Sequence, residues 1–275
     1  MSPFRASAGF TQEWKHFDFR VAEGVATVTF TRPEKLNALT FEVYADLRDL
    51  LAEIPHRADV DVVVMTGEGR GFCSGGDVHE IIGELLDMGS RELLDFTRMT
   101  GTVVQRMREC PKPIIAAVNG TAAGAGAVIA LAADIRVLAE SATFALLFTK
   151  VGLAGADMGS AYLLPRLVGL GRATELLLLG DDIDAATALD YGLAYKVVAD
   201  GDLLSEASAL AGRLAAGPTF AYASTKMLLA RELDMDLAGA LELEAFTQAL
   251  LMTTQDHNEF YEAFKAKRPP EFKGR

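Results

Sequence analysis

Two glycine-rich turns, each set between a short apolar run and a helix-forming stretch, constrain the fold of this chain more than any other feature. "DVVVMTGEG" at 61–69 runs into "FCSGGD" at 72–77, and "KPIIAAVNG" at 112–120 runs into "NGTAAGAGA" at 119–127. The apolar runs predict strands buried on both faces, which belong in a sheet with covering layers. The glycines let a ligand approach the backbone, while the unpaired N–H groups of a helix start, reinforced by the helix dipole, favour negative charge. Two such junctions aimed at one point make an oxyanion hole. Either turn alone also reads as a tight strand-to-helix connection that binds nothing. A phosphate loop fits less well. No GxxxxGK followed by Ser or Thr is present, and "GTAAGAG" lacks the spacing and the downstream acidic residue of a dinucleotide fingerprint.

The rest of the chain extends the α/β pattern. Phe17, Phe19 and Val21, then Val25, Thr27 and Thr29, alternate like a hairpin turning at Glu23-Gly24. "TRPEKLNALT" reads as a loop, and Thr40 as the N-cap of an amphipathic helix through about Ile54. Residues 78–110 read as helical with a break at Gly89-Ser90. A third unit runs from "DIRVLAE" to "VGLAGADMGSAYLLPRLVG" and a fourth from "ATELLLLG" to "GLAYKVVAD". Three regions follow: a flexible leader over 1–15, an α/β core over 16–201, and an all-helical region over 202–275 ending in the basic tail "KAKRPPEFKGR".

Composition narrows the partners. There are 26 Lys plus Arg against 38 Asp plus Glu, a formal charge of −12 that repels nucleic acid and anionic lipid. An anionic ligand must therefore be held locally. Cys73 and Cys110, with no CxxC pair and no Cys/His cluster, indicate neither a disulfide framework nor a metal site. The N-terminal stretch carries Arg5, Glu13 and Lys15, and the longer apolar runs are interrupted well short of a membrane span. The expected location is the cytoplasm.

"PEKLNAL", "GFCSGGD", "KPIIAAVNGTAAGAGAVIALAADIRV" and "LPRLVGLGRATELLLLGDDIDAATALDYGLAYKVV" together resemble the enoyl-CoA hydratase/isomerase, or crotonase, superfamily over roughly residues 16–275. The resemblance implies a ClpP/crotonase-type right-handed spiral of ββα units with a C-terminal helical region, assembled as a homotrimer or hexamer. It implies an acyl-CoA thioester substrate, with coenzyme A entering as part of that substrate and no separate cofactor. By motif, Gly76 before the aspartate of "SGGD" and Ala125 at the middle of the second turn's triplet supply the oxyanion N–H groups. The triplet here reads Gly124-Ala125-Gly126, which keeps the donor and adds a methyl group.

The same resemblance lays the adenine and ribose of coenzyme A along Lys35, Asn37, Ala38 and Leu39 and against Ser74, Gly75, Asp77 and Val78. Arg32 or Lys35 meets the phosphates. Lys226, Lys267, Arg268 and Lys273 are further candidates, since relatives often complete this pocket from a neighbouring subunit's C-terminus. Each of these cations also reads as solvated surface charge, and Asp77 as a brace or cap for its own turn.

Family hydratases use two glutamates, and the corresponding positions here are Val128 and Phe148. One carboxylate remains nearby: Asp157 in "VGLAGADMGSAYLLPR", where resemblance to dienoyl-CoA isomerases and aryl-CoA dehalogenases puts a catalytic aspartate. Apolar surroundings would raise its pKa and suit it to acid/base or nucleophilic work. It also reads as the cap of a helix beginning at 158–160. Phe148 is either an aromatic wall for the acyl group or a core residue, and Tyr162 either a hydrogen-bond donor in the pocket or a packing residue. His79 is expected to face away from the thioester. The favoured reaction is double-bond isomerisation. Hydration, hydrolysis or carbon–carbon cleavage through Asp157 is the alternative, and a non-catalytic acyl-CoA binder the second.

Overall fold

Period-two alternation in the buried strands decides how the layers stack. The structure, a computed structural model, describes residues 9–274; the first eight residues of the expected leader lie outside the described residues. Within the remainder of that leader, Thr11 is tied to the core, its N–H and hydroxyl both donating to the Glu53 carboxylate.

Strands β1 (Asp18–Ala22) and β2 (Val25–Phe30) form the expected antiparallel hairpin about Glu23-Gly24. Helix α1 (Phe41–Glu53) follows, capped as expected by the Thr40 side chain, which accepts from Val43 N. Three units then each place one strand in a large sheet and a second in a small one. They are β3 (Val62–Gly67) with β4 (Gly71–Cys73), β5 (Ile114–Val118) with β6 (Thr121–Ala123), and β7 (Ile135–Ala139) with β8 (Thr143–Ala145). Helices α2 (Ser90–Glu109), α3 (Ala125–Ala132), and α4 (Ser160–Val168) with α5 (Leu170–Leu179) follow β4, β6 and β8. The chain continues with β9 (Ile183–Asp184), α6 (Ala185–Asp190), β10 (Lys196–Val198) and then α7 (Leu203–Ala215), α8 (Thr219–Glu232), α9 (Leu237–Leu251) and α10 (Gln255–Ala266). The large sheet has the order β1-β2-β3-β5-β7-β10 and the small one β4-β6-β8-β9, so the expected spiral of ββα units is present. The small sheet escapes a sequence reading because strands of two or three residues are too short to carry alternation.

Val63, Met65, Ile114, Ala116, Val118 and Leu138 point from the large sheet into the main core, against α1, α2 and α3. Their neighbours Val62, Val64, Ile115, Ala117, Val137 and Ala139 point the other way, onto Leu203, Ala207, Leu210 and Ala211 of α7. Strands apolar on both faces need a cover on both, and α7 supplies the second. The boundary expected at 202 is therefore a change of secondary structure, while α7 packs as a layer of the α/β core.

Candidate active site

The two glycine turns meet because β4 and β6 are parallel neighbours in the small sheet. Gly75 takes φ +97, and a Cβ there would lie 3.0 Å from Ala123 O and 3.5 Å from Ala125 N. The two backbones are thus in contact across the site. Gly126 packs closer still: a Cβ would fall 2.0 Å from Cys73 O. Ala125, by contrast, is the first residue of α3, and it is absent from the residues with positive φ. The middle position of the triplet tolerates a methyl group because its backbone is ordinary helix. Among the described residues, neither the Gly76 N–H nor the Ala125 N–H has a backbone or side-chain acceptor. Neighbouring amides of the two turns are engaged: Gly124 N donates to Ala145 O at 2.8 Å and Asp77 N to Leu39 O at 2.9 Å.

The loop before α1 is stitched to the first turn. Leu39 N donates to Gly75 O at 2.8 Å, Asp77 N to Leu39 O at 2.9 Å, and Ser74 N to Leu36 O at 3.0 Å. Asn37, buried and left-handed at φ 57, sends Nδ2 to Glu68 O and Gly71 O and accepts from Arg32 N. Its side chain is thus spent on bonds within the fold. Arg32, expected at the phosphates, has its guanidinium on Ala38 O, Asp77 and Glu80. Asp77 is 4% exposed and accepts the N–H groups of His79 and Glu80, capping a wide π-type turn over Val78–Gly83. These amides, with Arg32 beside them, hold its carboxyl below the usual range. Asp77 and Arg32 thus brace the turn. Lys35 is left exposed beside Ser74, whose hydroxyl donates to Lys35 O, and Ala38 is buried under the loop. Val78 is exposed beside it.

Within the one chain, the cations of the C-terminal region have partners of their own or lie at a helix end. Lys226 is buried, donating to Met107 O and Lys112 O and pairing with Asp134 at 2.7 Å. Arg268 pairs with Glu259, and Lys267 ends α10 in a left-handed conformation.

Asp157 is half-buried just ahead of α4. Its Oδ1 accepts from Met158 N at 2.8 Å, and its own N–H donates to Ser160 Oγ. The N-cap of α4 is Gly159, at φ 89, with no side-chain cap, so Asp157 does not cap that helix. Among the described residues no ion pair reaches Asp157. Burial raises its pKa and the single Met158 amide opposes the shift. Met158 itself holds φ 49, an unusual conformation for a side chain with a Cβ, beside the group expected to do chemistry.

The two apolar positions singled out in the sequence are both buried in the core. Val128, one turn into α3, is fully buried, and Phe148 is buried in the 3-10 turn after β8. Tyr162 lines a cavity beside Met158 and Gly159, with its hydroxyl engaged by another side chain. It is 42% exposed, its hydroxyl donates to Asp234 at 2.7 Å, and Arg166 stacks on its ring at 3.6 Å. That hydroxyl is engaged at the surface.

The sequence reading missed Tyr44. The residue is 3% exposed on the inner face of α1, edge-on to Phe96, and its hydroxyl has no hydrogen-bond partner among the described residues. Burial, with Cys73 and Asp157 near enough to add to it, pushes the phenol well above its usual pKa and keeps it protonated. A polar tip on an apolar helix face was the available signal. Among the described residues no three His, Cys, Asp or Glu group as a metal site, and no helix is long and apolar enough to cross a membrane.

Comparison with known proteins follows the same lines. The model of the family described as "Enoyl-CoA hydratase/isomerase" matches residues 20–275. The 1,2-epoxyphenylacetyl-CoA isomerase of Escherichia coli is 39% identical over 259 residues, covering 93% of this chain and 97% of that one. A provisional enoyl-CoA hydratase of Rhodobacter capsulatus is also 39% identical, over 94% of this chain and 97% of its own. A crystal structure of a provisional enoyl-CoA hydratase from Streptomyces coelicolor A3(2) superposes with a TM-score of 0.98 at 61% identity, covering 100% of both chains.

Proposed function

We propose, from the premise that this chain belongs to the enoyl-CoA hydratase/isomerase family, that it shifts a double bond in an acyl-CoA thioester with Asp157 as acid and base. The observation that carries the reading is the Asp157 carboxyl itself. It is half-buried and unpaired by any cation among the described residues, and its pKa is raised, while the family's two glutamate positions hold Val128 and Phe148. A single carboxylate with a raised pKa suits one proton taken and returned, and apolar neighbours give a second carboxylate no place to activate water.

In this reading the thioester oxygen sits against the N–H groups of Gly76 and Ala125. Asp157 removes a proton from the α carbon of a 3-enoyl thioester. The C–H electron pair forms a double bond to the carbonyl carbon, and the carbonyl pair moves onto oxygen, where the two amides stabilise it. The pair then returns: the C=O bond reforms, the α–β bond becomes double, and the former β–γ pair takes the proton from Asp157 at the γ carbon. The carboxylate ends as it began. Each oxyanion donor contributes about 3 kcal/mol to the barrier, and the positioned base about 10²- to 10⁴-fold in rate. Lys35, exposed beside the first turn and in no ion pair among the described residues, is the cation we assign to the phosphates.

The test is a panel of 2-enoyl, 3-enoyl, dienoyl and cyclic β-keto acyl-CoAs followed by mass and absorbance. Isomerisation leaves the mass unchanged and shifts the absorbance, and Asp157→Asn abolishes turnover while acyl-CoA binding remains. A product heavier by one water sinks isomerisation. Binding without turnover of any panel member sinks the enzyme reading.

A further inference from the structure

A cavity of about 1010 Å³ opens at Met158 and Gly159, the two residues after Asp157, and runs between α2, α4 and α8. Beside Gly159 its lining is apolar, with Val104 and Leu163. Its far end is not. Arg108, Arg136, Arg166, Lys226 and Arg231 line it, against the carboxylates of Asp134 and Glu109. In a chain of net charge −12 this is a local reversal of sign.

The pairing there is incomplete. Asp134 is shared: its Oδ2 meets Lys226 Nζ at 2.7 Å and Ile114 N at 2.8 Å, while Arg108 Nη1 reaches Oδ1 at 3.4 Å. One carboxylate therefore answers two cations. Arg136 is buried with backbone carbonyls for partners, those of Leu193, Leu131 and Ala133, and burial pulls its pKa down to about 10. Glu109 is exposed and accepts from Gln105. Arg166 is held by Asp234, and Arg231 is exposed. The inner end thus keeps an excess of positive charge that protein groups do not balance, and a partly desolvated excess charge favours an anion.

We propose that the acyl chain of the substrate runs from the thioester past Asp157 into this cavity and ends in a carboxylate held by Arg108. Arg108 is the candidate because its side chain is 29% exposed and its one ion pair is long. Val104, 3.7 Å from where a Gly159 Cβ would lie, and Arg108 are four residues apart on α2, about 6 Å at 1.5 Å per residue, so the chain must pass Gly159 and one further helical turn, which suits a medium length. The preferred substrates are then acyl-CoAs carrying a terminal carboxylate. The proposal rests on the acyl-CoA reading of the preceding section.

Suberyl-CoA and octanoyl-CoA have the same chain length and differ in the terminal group, and neither contains a double bond to move. Calorimetric titration of each into the whole protein therefore reads binding without turnover. Suberyl-CoA is expected to bind about tenfold or more tightly than octanoyl-CoA, the size of a charge-assisted hydrogen bond. Arg108→Met should erase that preference and leave octanoyl-CoA affinity within about twofold, with an unchanged circular dichroism spectrum, because Lys226 still holds Asp134. Equal or weaker binding of suberyl-CoA to the parent overturns the proposal, as does a preference that survives Arg108→Met. If neither thioester binds, the acyl-CoA reading fails first and takes this one with it.

Discussion

A carboxyl group that folding carries into half-burial without a cation beside it holds its proton more tightly than in the unfolded chain. For Asp157 the native state therefore binds more protons than the unfolded state between the ordinary carboxylate value of 3.8 and its raised value, and stability falls as pH rises through that window. Asp157→Asn should melt above the parent at pH 7, with the gap closing as the pH drops below about 4; a gap that widens on acidification would contradict burial as the cause. The glycine triplet offers a second contrast between adjacent residues. Gly126→Ala drives a methyl into Cys73 O and should cost about 3 kcal/mol in urea unfolding. Ala125→Gly, at the first residue of a helix, should cost less than about 1 kcal/mol. Gly126 and Ala125 look interchangeable in the sequence, and the approach of β4 separates them.

At the scale of elements, the short apolar runs, the hairpin, the cap at Thr40 and the break at Gly89 were legible because each depends on local chemistry. The role of Asp77 was half legible. Its place before a turn marks a cap, but its hold on Arg32 joins residues 45 apart, which no local pattern reveals. Asp77→Ala removes the acceptor of two turn amides and frees the guanidinium that fastens the loop before α1. It should lower stability by about 1–2 kcal/mol and raise KM for an acyl-CoA more than it lowers kcat, in steady-state assays. A loss confined to kcat would instead put Asp77 in the chemistry.

Across the whole molecule, apolar side chains stand exposed along the last helices: Leu237, Leu241, Phe246 and Leu250 on α9, and Phe260 and Phe264 on α10. Apolar faces of this extent mark contact surfaces. Light scattering should therefore find the protein above its 29.5 kDa chain mass, and the double change Phe246→Glu with Phe264→Glu should shift it towards the monomer; a monomeric parent would refute this. The sequence by itself determined the α/β class, the two glycine junctions and the absence of glutamate at 128 and 148, because strand burial, turn chemistry and residue identity are written locally. Only the tertiary structure decided that α7 covers the sheet, that Arg32 and Tyr162 are engaged within the fold, and that unbalanced cations line a cavity behind Asp157. Each of these depends on which distant segments meet, and a side chain's charge or hydroxyl takes its meaning from the partners the fold brings to it.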